Sequence, residues 1–281
     1  MHVKLMGHLV LASILIGGPL QGGGIENFST FWKTEEKDPE IGILIAHDVP
    51  GVVLEVKGKY KIYDPYTNAF ISTRYIGKRK FVQALSDGIK WGEEFPSVHQ
   101  IQIVPNDPKT TTLVDGIEYK GVMTVYDIGG SISVVNHLPI DEYVKTILNS
   151  HYSTSLPKEL AAALAILERT YTWEQLQKSP SRYFNIEKER GDYLGYAASL
   201  KNEDFSSAIA NTQRMILVKE GKPLAINLFG NKQEKTKNFQ PPLGEISFTQ
   251  AIELAKNGKH AAQILSQAFP GSTISLTISN N

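Results

Sequence analysis

Val134-Val-Asn-His-Leu-Pro-Ile-Asp-Glu-Tyr-Val144 is the stretch on which the fold turns. Just before and into it, Ile132-Ser-Val-Val135 reads as a strand. Helix begins after Pro139. Ile140, Tyr143, Val144, Ile147 and Leu148 fall at i, i+3, i+4, i+7 and i+8, which is one apolar helical stripe. Asp141 and Glu142 stand in its first turn, where carboxylates meet the positive end of the helix dipole. A polar break follows, Asn149-Ser-His-Tyr-Ser-Thr-Ser155. Pro157 then opens a second helix, in the first turn where proline is tolerated. From Leu160 to Leu167 that helix is apolar at nearly every position, so burial on most sides is expected. Arg169, Thr170 and Tyr171 continue it.

Upstream the chain is strand-rich. Ile41–Ala46, Val52–Val56, Tyr60–Tyr63, Ile101–Val104, Thr112–Val114 and Gly121–Tyr126 read as short strands, with turn signals at Asp64-Pro65 and Thr67-Asn68. Downstream, Phe205–Ala210 reads as a short helix. Met215–Val218 and Leu224–Phe229 read as a hairpin turning at Lys219–Lys222, and 231–242 as a loop. Phe248, Ala251, Ile252 and Ala255 carry a further helix stopped near Gly258, and His260–Phe269 a last one. The expected class is therefore α+β, a β-rich first half and a helix-containing second half packed as one domain around the long helix. Tyr60, Tyr63, Tyr66 and Tyr75 have the chemistry to stack on sugars, but ordinary strand packing accounts for them.

Composition narrows the function. The 281 residues include 29 Lys plus Arg against 29 Asp plus Glu, so no global field draws a polyanion and nucleic acid is not an expected partner. The chain has no cysteine, which excludes disulfides and thiolate zinc sites. No phosphate-cradling glycine loop, H-E-x-x-H or G-x-S-x-G occurs, and neither metal nor cofactor is expected. Near the N-terminus, Lys4 precedes an apolar run, Leu5 to Ile16, closed by Gly17-Gly18-Pro19. The run is shorter than the roughly 20 residues that span a bilayer and reads as an export signal over residues 1–24. A linker over 25–39, a domain over 40–273 and a tail over 274–281 complete the expected organisation, with an exported location in the periplasm, cell envelope or medium.

Several stretches together resemble the SpoIID/LytB family of peptidoglycan-directed proteins. Asp115–Gly121 looks like its hairpin, Val134–Val144 its strand-to-helix segment, Leu156-Pro157 the start of its long helix and Arg169-Thr170-Tyr171 the end of its signature. Thr212–Leu217, and then Ala255–Gly258, Gln263–Leu265 and Pro270-Gly271, follow in family order. The resemblance implies action on glycan strands of peptidoglycan, with those strands and a cell-wall hydrolase as expected partners. Active members are lytic transglycosylases that leave a 1,6-anhydro end. One glutamate protonates the glycosidic oxygen and then accepts the proton of the sugar's own 6-hydroxyl.

That glutamate lies six residues before the helix-opening proline, and here the position holds His151. A lone imidazole moves protons near neutral pH. However, it is positive beside a developing cation before donation and neutral after it, where a carboxylate would be negative. Weak or lost catalysis is the expectation. Leu164 stands where the family has glutamine. Gly230–Thr236 and Pro241–Phe248 keep little of two glycine-rich groove loops. The resemblance carries Arg169 and Tyr171 over as catalytic-site residues beside His151, and Thr170, Thr236 and Ser247 as substrate-binding ones. Glu159, Glu168 and Glu245 are the alternative acids, with Glu234 a further carboxylate in an altered loop. A carboxylate facing Arg169 and Tyr171 across a groove would favour an active enzyme with a relocated acid. A groove filled by Leu164 and Phe248 would favour a binding protein. An internal ion pair of Arg169 with Glu168 or Glu142 is the structural reading of that arginine.

Overall fold

Period-two patterning of the first half builds two sheets in a computed structural model, which describes residues 39–74, 79–152, 155–200, 203–226 and 242–277. The strands of that half are β1 (Glu40–Val49), β2 (Gly51–Lys57), β3 (Tyr60–Tyr63), β4 (Phe70–Arg74), β5 (Lys80–Leu85), β6 (Gly88–Trp91), β7 (Glu93–Pro96), β8 (Gln100–Pro105), β9 (Thr111–Val114), β10 (Ile117–Tyr119), β11 (Val122–Ile128) and β12 (Ser131–Pro139). Then come α1 (Ile140–His151), α2 (Lys158–Lys178), β13 (Ile186–Glu187), α3 (Lys188–Gly191), a 3-10 turn at Tyr196–Leu200 and α4 (Glu203–Asn211). The chain ends with β14 (Met215–Lys219), β15 (Lys222–Pro223), α5 (Phe248–Lys256), α6 (Ala261–Ala268) and β16 (Thr273–Leu276). The α+β class is as expected.

One sheet has seven strands in the order β13-β1-β12-β11-β8-β3-β4; the other has six, β10-β9-β2-β5-β6-β7. The chain crosses between them at Pro50-Gly51, since β1 lies in the first and β2 in the second. Val52, Leu54 and Val56 of β2 are buried while Val53, Glu55 and Lys57 are not, the signature of a sheet with one face on the core. Tyr60 of the first sheet packs on Trp91 of the second at 5.8 Å, and the Trp91 indole N–H donates to the Leu54 carbonyl. Strands β4 to β7 escape a sequence reading because they are short and carry Lys80, Lys90, Glu93 and Glu94. Their pairing partners supply the order that the pattern lacks.

The Asp115-Gly116 turn joins β9 to β10 with φ of 49° and 85°, the twist that a two-residue hairpin needs. A second close fit lies at Gly121. Its φ is +87°, and a Cβ there would stand 2.2 Å from the His137 carbonyl oxygen of β12. Gly121→Ala is expected to lower stability by more than about 1 kcal/mol, read as a lower urea midpoint. An unchanged midpoint would mean that the β10–β11 connection yields freely.

The helical half is built around α2. Leu160, Ala161 and Ala163 through Thr170 are all buried, so the helix is enclosed on most of its circumference by α1, α4, α5, α6 and β14. The α1 stripe of Ile140, Tyr143, Val144, Ile147 and Leu148 is buried as expected. Two readings change. Asn149 to His151 stay helical instead of beginning the break. Among the described residues the hairpin after β14 returns as β15, with 227–229 of the expected strand outside them, while the other side of β14 pairs with β16, from Met215–Leu276 to Val218–Thr273. The domain's last sheet therefore takes in residues up to Leu276, beyond the boundary expected at 273. The export signal, the linker up to residue 38 and the 227–241 segment lie outside the described residues, with Glu234 and Thr236 among them.

Candidate functional site

The segment Val134–Val144 positions the site through two side chains. Asn136 on β12 is fully buried, and its amide donates to the carbonyls of Lys120 at 2.8 Å and Val122 at 3.2 Å. Its side-chain oxygen accepts from the Tyr193 hydroxyl at 2.7 Å. Tyr143 on α1 packs its ring on Tyr193 at 5.7 Å. A Cβ on Gly191 would lie 2.4 Å from the Tyr143 hydroxyl oxygen, so a residue without a side chain is what fits against α1 here. Together Asn136 and Tyr143 grip the turn at 191–193.

That turn delivers Asp192 to His151. Asp192 is the C-cap of α3, in the left-handed region at φ 52°. His151 is the last residue of α1, and its Nε2 lies 3.4 Å from the Gly191 carbonyl oxygen and 3.8 Å from Asp192 Oδ2. The His151 side chain is 16% exposed and that of Asp192 37%, so the pair meets solvent at its edge. Asp192 was not among the residues expected from sequence. Its only local signal is Gly191-Asp192, a helix-ending pair, and nothing in the spacing ties it to His151.

Tyr152, next in the chain, is buried. Its ring stacks on Phe248 at 5.5 Å and 8°, and also meets Phe205 at 6.0 Å. Leu164 and Phe248 are both buried in the core. Beneath lies Glu168 on α2, wholly buried, with neither carboxyl oxygen hydrogen-bonded among the described residues. Burial pushes its carboxyl up to about 8. Beneath Tyr152 it has no route to a polymer. Tyr143 is held well above the usual tyrosine range, first by burial and then by Glu168.

The remaining candidates are engaged in the fold. Arg169 is 2% exposed, and its partner is Asp141, at 2.7 Å, not Glu168 or Glu142. The rest of its guanidinium donates to the carbonyls of Thr212, Met215 and Ile209. The Thr170 hydroxyl donates to the Ile166 carbonyl and accepts from the Leu217 amide at 2.8 Å, joining α2 to β14. Ser247 and Gln250 form a capping box at the start of α5. Tyr171 is half-buried against the core. Glu245 is exposed in the turn before α5. Glu159 accepts from the Ala261 amide at 2.8 Å, capping α6, and borders an open cleft of about 470 Å³ between α2, α4 and α6. His151 does not line that cleft.

Residues 129–218, which carry β12, α1, α2, the 191–193 turn and most of β14, match the family model SpoIID, Stage II sporulation protein. This part of the chain belongs to the SpoIID family. The chain is similar to an uncharacterized protein of Chlamydia pneumoniae, 31% identical over 182 residues, covering 64% of this chain and 66% of that protein. A second, from Chlamydia muridarum, is 28% identical over 218 residues, 76% of each chain. A third, from Brachyspira hyodysenteriae, is 27% identical over 173 residues, 61% of this chain and 46% of the other. The chain thus spans just under two thirds of the first of these relatives and less than half of the last. No solved structure matches it. SpoIID membership points to a role related to the cell wall. Within the SpoIID segment Asn136, Arg169 and Thr170 anchor the scaffold through hydrogen bonds, and His151 with Asp192 forms a polar pair at the solvent edge.

Proposed function

We propose that this SpoIID protein works in the cell envelope by binding the glycan strands of peptidoglycan. The observation that supports the reading is the match of residues 129–218, which include the α1–α2 junction, to the SpoIID model; the family resemblance puts His151 where the family's acid stands. Arg169, Thr170 and Asn136 tie together the elements around that junction, which is consistent with a rigid frame for presenting a strand. The family's glutamate-dependent route is closed to it, because position 151 holds no carboxyl group. The apolar run from Leu5 to Ile16 supports placing the protein beyond the cytoplasmic membrane.

Incubating purified protein with peptide-free glycan strands and sedimenting the strands tests this reading. Retention of the protein on strands is the expected result, with little retention on an unrelated polysaccharide such as cellulose. Equal or absent retention on both overturns it.

A further inference from the structure

Strand packing accounts for Tyr60, buried against Trp91, but not for Tyr66, which is 87% exposed in the turn between β3 and β4. That turn is held firmly. Asp64 Oδ1 accepts from the Tyr66 amide at 2.7 Å, from the Thr67 amide at 2.9 Å and from Gln100 Nε2 of β8 at 3.4 Å. The exposed ring therefore stands on a fixed backbone.

Tyr66 is not an isolated apolar residue. Ile62 of β3 and its partner Ile103 of β8 are buried in the core, so Tyr63 and its partners, Phe70 of β4 and Gln102 of β8, share the outer face of the seven-stranded sheet. Two residues along β8, Gln100 pairs with Tyr126 of β11 on that same face. The Tyr63 ring meets Phe70 at 5.8 Å and 72°, and the Tyr126 ring meets Tyr183 at 5.0 Å and 64°. Neither pair lies flat on itself, so ring faces are left for a ligand. Phe70 is well exposed, and Tyr63, Tyr126 and Tyr183 are partly so. The two aromatic pairs are separated by two inter-strand steps, roughly 10 Å, with Gln100 and Gln102 on the strand between them. Cations border the same face. Arg182 is exposed and donates to the Tyr183 hydroxyl, its guanidinium 4.7 Å above that ring, and Tyr66 is near enough to act on its charge. Lys61 is exposed two residues before Tyr63 on β3.

Resting on the proposed function above, we propose that this outer face is a second glycan-holding surface, built from Tyr63, Tyr66, Phe70, Tyr126, Tyr183 and Arg182. Its chemistry matches a chain of N-acetylated, carboxylated sugars. Aromatic rings stack on the apolar faces of pyranose rings, glutamine amides donate to acetamide carbonyls, and Arg182 and Lys61 meet the lactyl carboxylates of peptide-free strands. None of the six residues lies on α1, α2 or the 191–193 turn, so this surface holds a strand by contacts of its own.

Sedimentation of purified variants with peptide-free strands provides the test, with folding checked by thermal melting. Tyr66 and Phe70 are exposed, so the double variant Tyr66→Ala with Phe70→Ala should melt with the wild type and bind about tenfold or more weakly. Tyr66→Trp keeps a ring; it should bind as the wild type does, and its added indole emission should change when strands are supplied. Arg182→Gln should bind more weakly at low salt and lose less as salt rises. Retention left unchanged by the double alanine variant overturns this inference and leaves the proposed function standing. If that variant melts lower, the indole decides: emission from Tyr66→Trp that ignores added strands overturns the inference too. A wild type that strands do not retain overturns both.

Discussion

Arg169→Ala is expected to destabilise the domain by about 3–5 kcal/mol, a large share of the roughly 5–15 kcal/mol that holds a domain folded. Arg169 is 2% exposed and its guanidinium donates to five acceptors, Asp141 Oδ1 at 2.7 Å, the carbonyls of Thr212, Met215 and Ile209 at 2.8, 3.2 and 3.3 Å, and the Thr212 hydroxyl at 3.4 Å. Two of those carbonyls, of Ile209 and Thr212, lie at the end of α4, where the helix dipole favours a cation. Alanine removes the buried charged donor that ties them together, although the Ile209 and Thr212 carbonyls keep the backbone amides of Thr212 and Met215. The Asp141 side chain is 24% exposed and can recover part of its loss from water. Arg169→Lys should rescue little, since one ammonium cannot span Asp141 and the end of α4 together. Urea unfolding measures the change. A loss below about 1 kcal/mol for alanine would mean that the clamp adds no net stability.

Glu168→Gln is expected to stabilise the protein at neutral pH and to leave it unchanged in acid. The folded carboxyl titrates at about 8 against an ordinary 4.5, raised by burial. Unfolding releases the proton wherever the pH lies between those values. The folded state thus has its full stability below about pH 4.5, loses it steadily as the pH rises toward 8, and stays at the lower level beyond. At about 1.36 kcal/mol per pH unit the deficit at pH 7 is about 3 kcal/mol. Glutamine has nearly the same shape and never ionises, so its advantage should appear above pH 4.5 and grow to pH 8. Denaturation midpoints of both proteins from pH 4 to pH 9 provide the comparison. Parallel curves would show that Glu168 stays ionised in the folded protein, with a counter-charge or water beside it. A carboxyl maintained at this cost, near enough to Tyr152 and Tyr143 to raise both hydroxyls, belongs to the core, despite its place next to Arg169 in the chain.

Much of the fold is local physics. The alternation in β2, the 3.6-residue stripe of α1, the Asp115-Gly116 hairpin and the apolar length of α2 are each dictated by neighbouring residues. They are legible without knowing what packs against them, and so is the histidine at position 151. Sequence therefore determined the α+β class, the succession of the main elements and the imidazole at position 151. Strands β4 to β7, the pairing of β14 with β16, and the partners of Arg169 were decided only by tertiary structure. Their energies depend on groups far away in the chain, and a polar edge strand or a buried guanidinium has no local pattern of its own. Asp192 is the clearest case. A helix-ending aspartate is commonplace in sequence, and it becomes the neighbour of His151 only because Asn136 and Tyr143 hold the 191–193 turn against α1. The charge beside His151 is a property of that packing.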